Sequence, residues 1–249
     1  MADWNVHRML RGVAIFAMTA AVTLTARPVE ALEFSGASLQ IGTADYVLDT
    51  SSRPKPQVVL SVEAVIAPRW RAQFDLAYAR FPGTSVQNVT TAMMHAGYHH
   101  DPFAIGLFFG VEEDAGGNGG TVFGAEAGFQ HGRLSVQGHV AQADFDATRR
   151  DFYGGSARLA LNDWLSFGIG VDRSTFGANS FRTWRAQARY AVTERVEMRV
   201  EAGKMRTYLG ASSPDEAFAG VHFRVSFGRE APRFALRSFY AAAPVGLFP

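Results

Sequence analysis

A chain of 249 residues, 47% hydrophobic, with 24 Lys and Arg against 23 Asp and Glu, suits one large β domain or two small ones. It has no basic runs to give an electrostatic footprint for nucleic acid, and no cysteine from which to build a disulfide framework. Beyond the N-terminus no apolar run approaches the roughly 20 residues of a spanning helix, so any crossing of a bilayer must be made by strands.

Residues 1–31 read as a signal peptide. His7, Arg8 and Arg11 form a basic start, Gly12 to Leu24 an apolar run, and Val29-Glu30-Ala31 puts small residues at the −3 and −1 positions of a cleavage site. Removing it takes three basic residues (Arg8, Arg11, Arg27) and two acidic ones (Asp3, Glu30), which leaves 21 of each and no net charge.

The remainder alternates. Twelve segments show period two, the strand signature. The first, 33–46, alternates least well; the second, 57–66, sets Val58, Leu60, Val62, Ala64 and Ile66 on one face. The third opposes Ala72, Phe74, Leu76 and Tyr78 to Arg71, Gln73, Asp75 and Ala77, and the fourth opposes Met94 and Tyr98 to Met93 and His95. The fifth carries Phe103, Ile105, Leu107 and Phe109 backed by Gly106 and Phe108, the sixth Phe123 and Phe129 against Glu126, and the seventh Val136 and Val140 against Gln137 and His139. The eighth and ninth form the clearest hairpin, 153–172, with Leu159 and Leu161, then Leu165, Phe167, Ile169 and Val171, against Ser156, Arg158, Gly168 and Asp172. In the tenth Trp184 and Tyr190 oppose Arg185 and Arg189, in the eleventh Val196, Met198 and Val200 oppose Glu197, Arg199 and Glu201, and in the twelfth Val221, Phe223, Val225 and Phe227 oppose His222 and Arg224.

The connections expected between these segments alternate long and short, with short turns near 67–69, 100–102, 131–132, 162–164 and 192–194 and longer loops near 47–56, 81–89, 113–120, 145–151, 174–181 and 209–215. A three-residue turn at 162–164 keeps Leu161 and Leu165 on one face and sets Arg158 opposite Gly168. A three-residue turn at 192–194 sets Arg189 opposite Glu197 and Arg185 opposite Glu201, opposite charges across the ladder. Aromatic residues collect at segment ends: Trp70, Tyr98, Phe103, Phe129, Trp164 and Tyr190 near the short turns, and Tyr78, Phe123, Tyr153, Trp184 and Tyr208 near the long loops. Aromatics are common in strands generally, but two belts of them are what the two interfaces of a membrane call for.

Over residues 32–228 the chain resembles a Gram-negative outer-membrane β-barrel, porin-like in the broad sense. The resemblance implies an all-β, transmembrane, antiparallel up-and-down barrel of about 12 strands, with short turns and both termini in the periplasm. It implies outer-membrane lipids and the barrel assembly machinery as partners. Such barrels usually end on a strand with a terminal aromatic. Phe227 holds that position here, yet residues 229–249 follow, and three destinations are open to this tail: the periplasm, the lumen or a partner.

The interior set carries Glu63, Arg71, Asp75, Glu126, Arg158, Asp172, Arg185, Arg189, Glu197, Arg199, Glu201 and Arg224, with His95, His139 and His222. These charges fit either a polar pore that selects solutes or interstrand ion pairs that fill the lumen. The histidines lie on non-neighbouring strands without ligand spacing, so neither metal nor cofactor is expected. Glu112-Glu113-Asp114 before GGNGG lacks the alternating ligand spacing of a calcium loop. No histidine falls on a lipid-facing position, which argues against a lipid-modifying enzyme. On the outside, Arg182, Lys204 and Arg206 meet either anionic headgroups or only solvent. The favoured function is a narrow channel for passive diffusion of small polar solutes; the alternative is a non-conducting structural or adhesion barrel acting through loops or tail.

Overall fold

In a computed structural model of the protein, the described residues are 33–48, 51–81, 88–145, 148–209, 214–229, 232, 234 and 235. The expected signal peptide and most of the tail lie outside them. The chain divides into Met1–Glu33 and Phe34–Pro249, and the second unit holds the architecture.

Twelve strands are described: β1 (Glu33–Leu48), β2 (Ser51–Ala67), β3 (Trp70–Arg80), β4 (Asn88–His100), β5 (Phe103–Asp114), β6 (Gly119–His131), β7 (Leu134–Phe145), β8 (Thr148–Ala160), β9 (Leu165–Phe176), β10 (Asn179–Ala191), β11 (Val196–Tyr208) and β12 (Asp215–Gly228). They form a closed barrel in sequence order, and β12 returns antiparallel to β1 with Gly36 opposite Gly228 and Val47 opposite Ala217. Closure leaves no sheet edge, which a bilayer does not tolerate.

The strands are longer than the alternation suggests, and the surplus lies at one end. β2 continues seven residues past Val58, which pairs with Tyr78. The stretches 145–151 and 174–181, expected as loops, are largely ladder: Thr148 pairs with Phe145, and Asn179 pairs with Phe176. Between β9 and β10 only residues 177–178 remain, and Gly177 takes the positive φ of 57° that so tight a hairpin demands. The expected strict alternation of long and short connections is therefore not kept. Polar residues at this end signal emergence from the apolar band rather than the end of pairing.

Large apolar residues face outward: Leu107 and Ile169 are each 67% exposed, and Val140 61%. An apolar surface that wraps a whole barrel belongs in lipid, not water. Aromatic pairs edge it. Trp70 meets Tyr98 with ring centroids 5.3 Å apart, Phe103 meets Phe129 at 5.2 Å and Trp164 meets Tyr190 at 5.5 Å, all at the end of the tight turns. Tyr78, Phe123, Tyr153 and Trp184 are exposed toward the other end. On β3 the two belts are eight residues apart, roughly 27 Å of strand, which at a tilt of about 40° rises about 20 Å, somewhat less than the roughly 25 Å of a barrel's apolar band. Ile169→Arg is accordingly expected to destabilise the barrel by about 2–4 kcal/mol in bilayer refolding titrations. Ser156→Arg, on the opposite face of the same hairpin, should cost much less.

Candidate functional site: a two-zone lumen

Period two that puts Phe167, Ile169 and Val171 outside puts Ser166, Gly168, Gly170 and Asp172 inside, and every strand contributes such a set. The lumen they enclose has two zones.

The first is polar and lies toward the tight turns. A cavity of about 790 Å³ runs from Asp101, Pro102 and Thr193 at that rim up to Tyr46, Phe152 and Phe218. One wall, from β7 to β12, carries Arg158, Arg185, Arg189, Arg199 and Arg224 with Asp172, Glu197, Glu201, His139 and His222. Arg185 Nη1 donates to Asp172 Oδ2 at 2.5 Å, with the Arg185 side chain lying over Gly170, where a Cβ would stand 2.9 Å from its Nε. His139 Nε2 is 3.9 Å from the other oxygen of Asp172. Arg189 lies 3.7 Å from Glu197, and Glu201 sits between Arg199 at 3.8 Å and His222 Nε2 at 3.0 Å. Arg158 and Arg224 make no ion pair among the described residues, so this wall carries surplus positive charge.

The facing wall, β2 to β6, is tightly paired and buried. Glu63 accepts from Arg71 Nη1 at 2.9 Å and from Ser35 Oγ at 3.1 Å. His95 lies between two carboxylates, its Nε2 3.0 Å from Asp75 and its Nδ1 2.6 Å from Glu126, and all three side chains are fully buried. Gln73 Nε2 donates to both oxygens of Asp75, at 2.9 and 3.0 Å. Phe234 of the tail lies on this wall. Phe234 stacks on His95 with rings 8° from parallel and centroids 6.0 Å apart, and its backbone N–H and C=O both bond the Gln73 amide. Gly97 and Gly106 leave room for the ring, since a Cβ on Gly97 would stand 2.6 Å from it. Arg224 Nη2 donates to Pro232 O at 3.3 Å.

The second zone, toward the opposite end, is apolar. Tyr46, Phe81, Val89, Met93, Phe108, Val122, Phe145, Phe152, Phe181, Met205 and Phe218 pack into one cluster inside the barrel, most of them under 4% exposed. Lys55 is buried against it, its Nζ 4.8 Å from the Phe81 ring and 5.8 Å from that of Tyr46.

Two expected details need correction and one stands. The turn after β10 spans 192–195, because Thr193 Oγ1 accepts from the N–H groups of both Arg195 and Val196. This moves the register by two: Arg189 faces Arg199, Gln187 faces Glu201 and Arg185 faces Gly203. Arg189 reaches Glu197 only diagonally, and Arg185 takes Asp172 instead of Glu201. In the hairpin before it, Asn162 Oδ1 accepts from Trp164 and Leu165, and Arg158 pairs with Gly168 as the turn length requires. The Glu112–Asp114 stretch divides: Glu112 points inward and accepts from Thr91 Oγ1 at 3.2 Å, while Asp114 Oδ1 accepts from the N–H groups of Gly116 and Asn118. Among the described residues no group of three acidic or histidine side chains is disposed to hold a metal.

Sequence reasoning missed Lys55 because Pro54-Lys55-Pro56 has the composition of a loop. It missed the apolar zone although Met93 and Phe108 already interrupt the polar face of their strands.

No protein family matches the sequence, and no characterised relative matches it significantly. Solved structures do match. An outer membrane channel from Pseudomonas putida F1 is 13% identical with a TM-score of 0.55, covering 82% of this chain and 100% of that one. The KdgM porin is 14% identical (TM-score 0.54; 76% and 99% covered), and the CymD monoaromatic hydrocarbon channel 7% identical (TM-score 0.54; 81% and 91% covered). At such identities the likeness is one of fold: the chain has the architecture of outer-membrane β-barrels.

Proposed function

We propose that the protein is a narrow outer-membrane channel for passive diffusion of small polar solutes, with a preference for anions. The observation that carries this is the polar zone, a cavity of about 790 Å³ whose arginines outnumber its carboxylates. The fold it shares with proteins described as a channel and a porin supports the same reading. The CymD likeness suggests apolar cargo, but the cavity lining is polar for most of its length, which favours polar solutes. Above the cavity the apolar cluster closes the bore, and hydrophobic constrictions of this kind gate by dewetting. The channel in this conformation is shut at its extracellular end.

Purified protein in planar bilayers is expected to show brief, discrete conductance steps with anions permeating faster than cations. Arg158→Glu combined with Arg224→Glu should reverse that preference, read as the sign of the reversal potential in a salt gradient. A barrel silent at every voltage would instead favour a non-conducting envelope protein.

A further inference from the structure

The outer surface of β9 to β11 holds an arrangement that the lumen does not explain. Register places Tyr153 beside Arg173, Arg173 beside Arg182, Arg182 beside Arg206, and Arg206 beside Asp215. One rung of the ladder thus bears three adjacent arginines. Neighbouring strands lie about 4.8 Å apart, so the three positions span roughly 10 Å. All three belong to the outward set: the residues two places down each strand are Val171 (42% exposed), Trp184 (39%) and Lys204, whose side chain is 58% exposed. The rung stands at the level of the aromatic belt away from the tight turns, where lipid headgroups begin.

Like charges directly opposite across a ladder repel, and here two such pairs follow one another. Asp215 relieves only one end. It takes Arg206 in a fork, with Nε at 2.7 Å and Nη2 at 2.9 Å, and Lys204 Nζ at 2.8 Å. Arg173 and Arg182 have no acidic partner among the described residues. The carboxylate on the adjoining strand, Asp151, is held by Arg149 at 3.2 Å. Arg182 lies against Trp184, its guanidinium carbon 5.6 Å from the ring, so the cation is held along the surface. Below the rung, Ala186, Ala188 and Ala202 are small where Phe167, Ile169 and Val200 around them are large. The result is an apolar furrow of about 640 Å³ on the outside of the barrel.

We infer that this face binds a phosphorylated lipid of the outer leaflet, its phosphates seated between Arg173, Arg182 and Lys204 and an acyl chain lying in the furrow. Guanidinium groups bind phosphate through paired hydrogen bonds, and an anion between Arg173 and Arg182 removes their repulsion. The furrow favours a lipid over free phosphate, which has nothing to place there. The inference rests on the outer-membrane placement proposed above, but not on the lumen being open.

Binding is measured on folded, detergent-purified protein by native mass spectrometry, with diphosphoryl lipid A as the probe. Fold is confirmed by heat-modifiable gel migration, so binding is read independently of conductance. Removing two surface cations, Arg173→Ala with Arg182→Ala, is expected to lower the retained fraction about thirtyfold. Arg149→Ala, also outward but already paired, should leave it unchanged, and fully dephosphorylated lipid A should bind as weakly as the double variant binds the intact lipid. Equal retention by wild type and double variant, or equal retention of dephosphorylated lipid, overturns the site. Displacement of the lipid by millimolar inorganic phosphate would show an anion site without lipid specificity, and would overturn it equally.

Discussion

Phe152→Ser combined with Phe181→Ser is expected to raise mean conductance in planar bilayers at least tenfold. The two rings flank Ser174, which pairs with Phe152 on one side and Phe181 on the other, so they occupy one level of the bore. Both are essentially buried, at 3% and 0% exposure, in the cluster that caps the polar cavity. A constriction lined mainly by apolar rings disfavours water, and ions with it, even where sterically passable, and Ser174 is the one hydroxyl between these two rings. Two hydroxyls at this level give water partners and shorten the dry section. A buried Phe truncated to Ala costs about 3–5 kcal/mol, an upper bound here because water can enter the space vacated. Gel migration checks that the variant is folded. The same substitution on the outer face, Ile169→Ser, should leave conductance unchanged. If the double variant conducts like the wild type, the cluster is not the gate.

His95→Leu is expected to destabilise the barrel by about 3–5 kcal/mol, the usual cost of removing one partner from a buried ionic group. Asp75 and Glu126 are both fully buried and both lie on His95; Asp75 keeps the Gln73 amide, but both lose the imidazole nitrogen that faces them. The urea midpoint of refolding, followed by gel migration, measures the loss. Replacing all three, His95→Leu with Asp75→Leu and Glu126→Leu, should recover much of the stability, since apolar substitution of a whole buried cluster is often neutral or better. A triple variant as unstable as the single would show that packing, not charge, is what His95 supplies. Phe234 adds a second readout. Its ring stacks on the imidazole, so protease sensitivity of the tail should rise in His95→Leu.

Much of this was legible in the chain because alternation is dictated by lipid outside and water or charge inside. Strand number, closure and the two aromatic belts follow from it. Strand length did not, since Ser51 to Gln57, with Pro54 and Pro56, has loop composition while forming ladder beyond the apolar band. Register between β10 and β11 differs by two residues from the expectation because a three-residue turn at 192–194 has the wrong length, and the opposite charges that it aligns agree with it only by coincidence. Thr193 sets it, and long arginines reach diagonally whichever register holds. The apolar zone was hidden for a different reason. Where Phe152 and Phe181 point inward and Tyr153 and Trp184 outward, both faces are apolar and period two loses its contrast. The tail on His95 depends on a pocket drawn from β3, β4 and β5, which no local pattern encodes.

The seam between β1 and β12 carries a kinetic consequence. Residue 36 meets residue 228 there, so the first strand waits for the last. A nascent barrel short of β12 keeps two unsatisfied edges, and no shorter intermediate can circularise in this register. Once the ring is shut, Arg224 on β12 holds Pro232 while Gln73 and His95 on the far wall receive Phe234. Those two anchorages sit on strands that the seam must first bring into one enclosure. Docking of Phe234 is therefore a late event, and its protection from protease reports that assembly has finished.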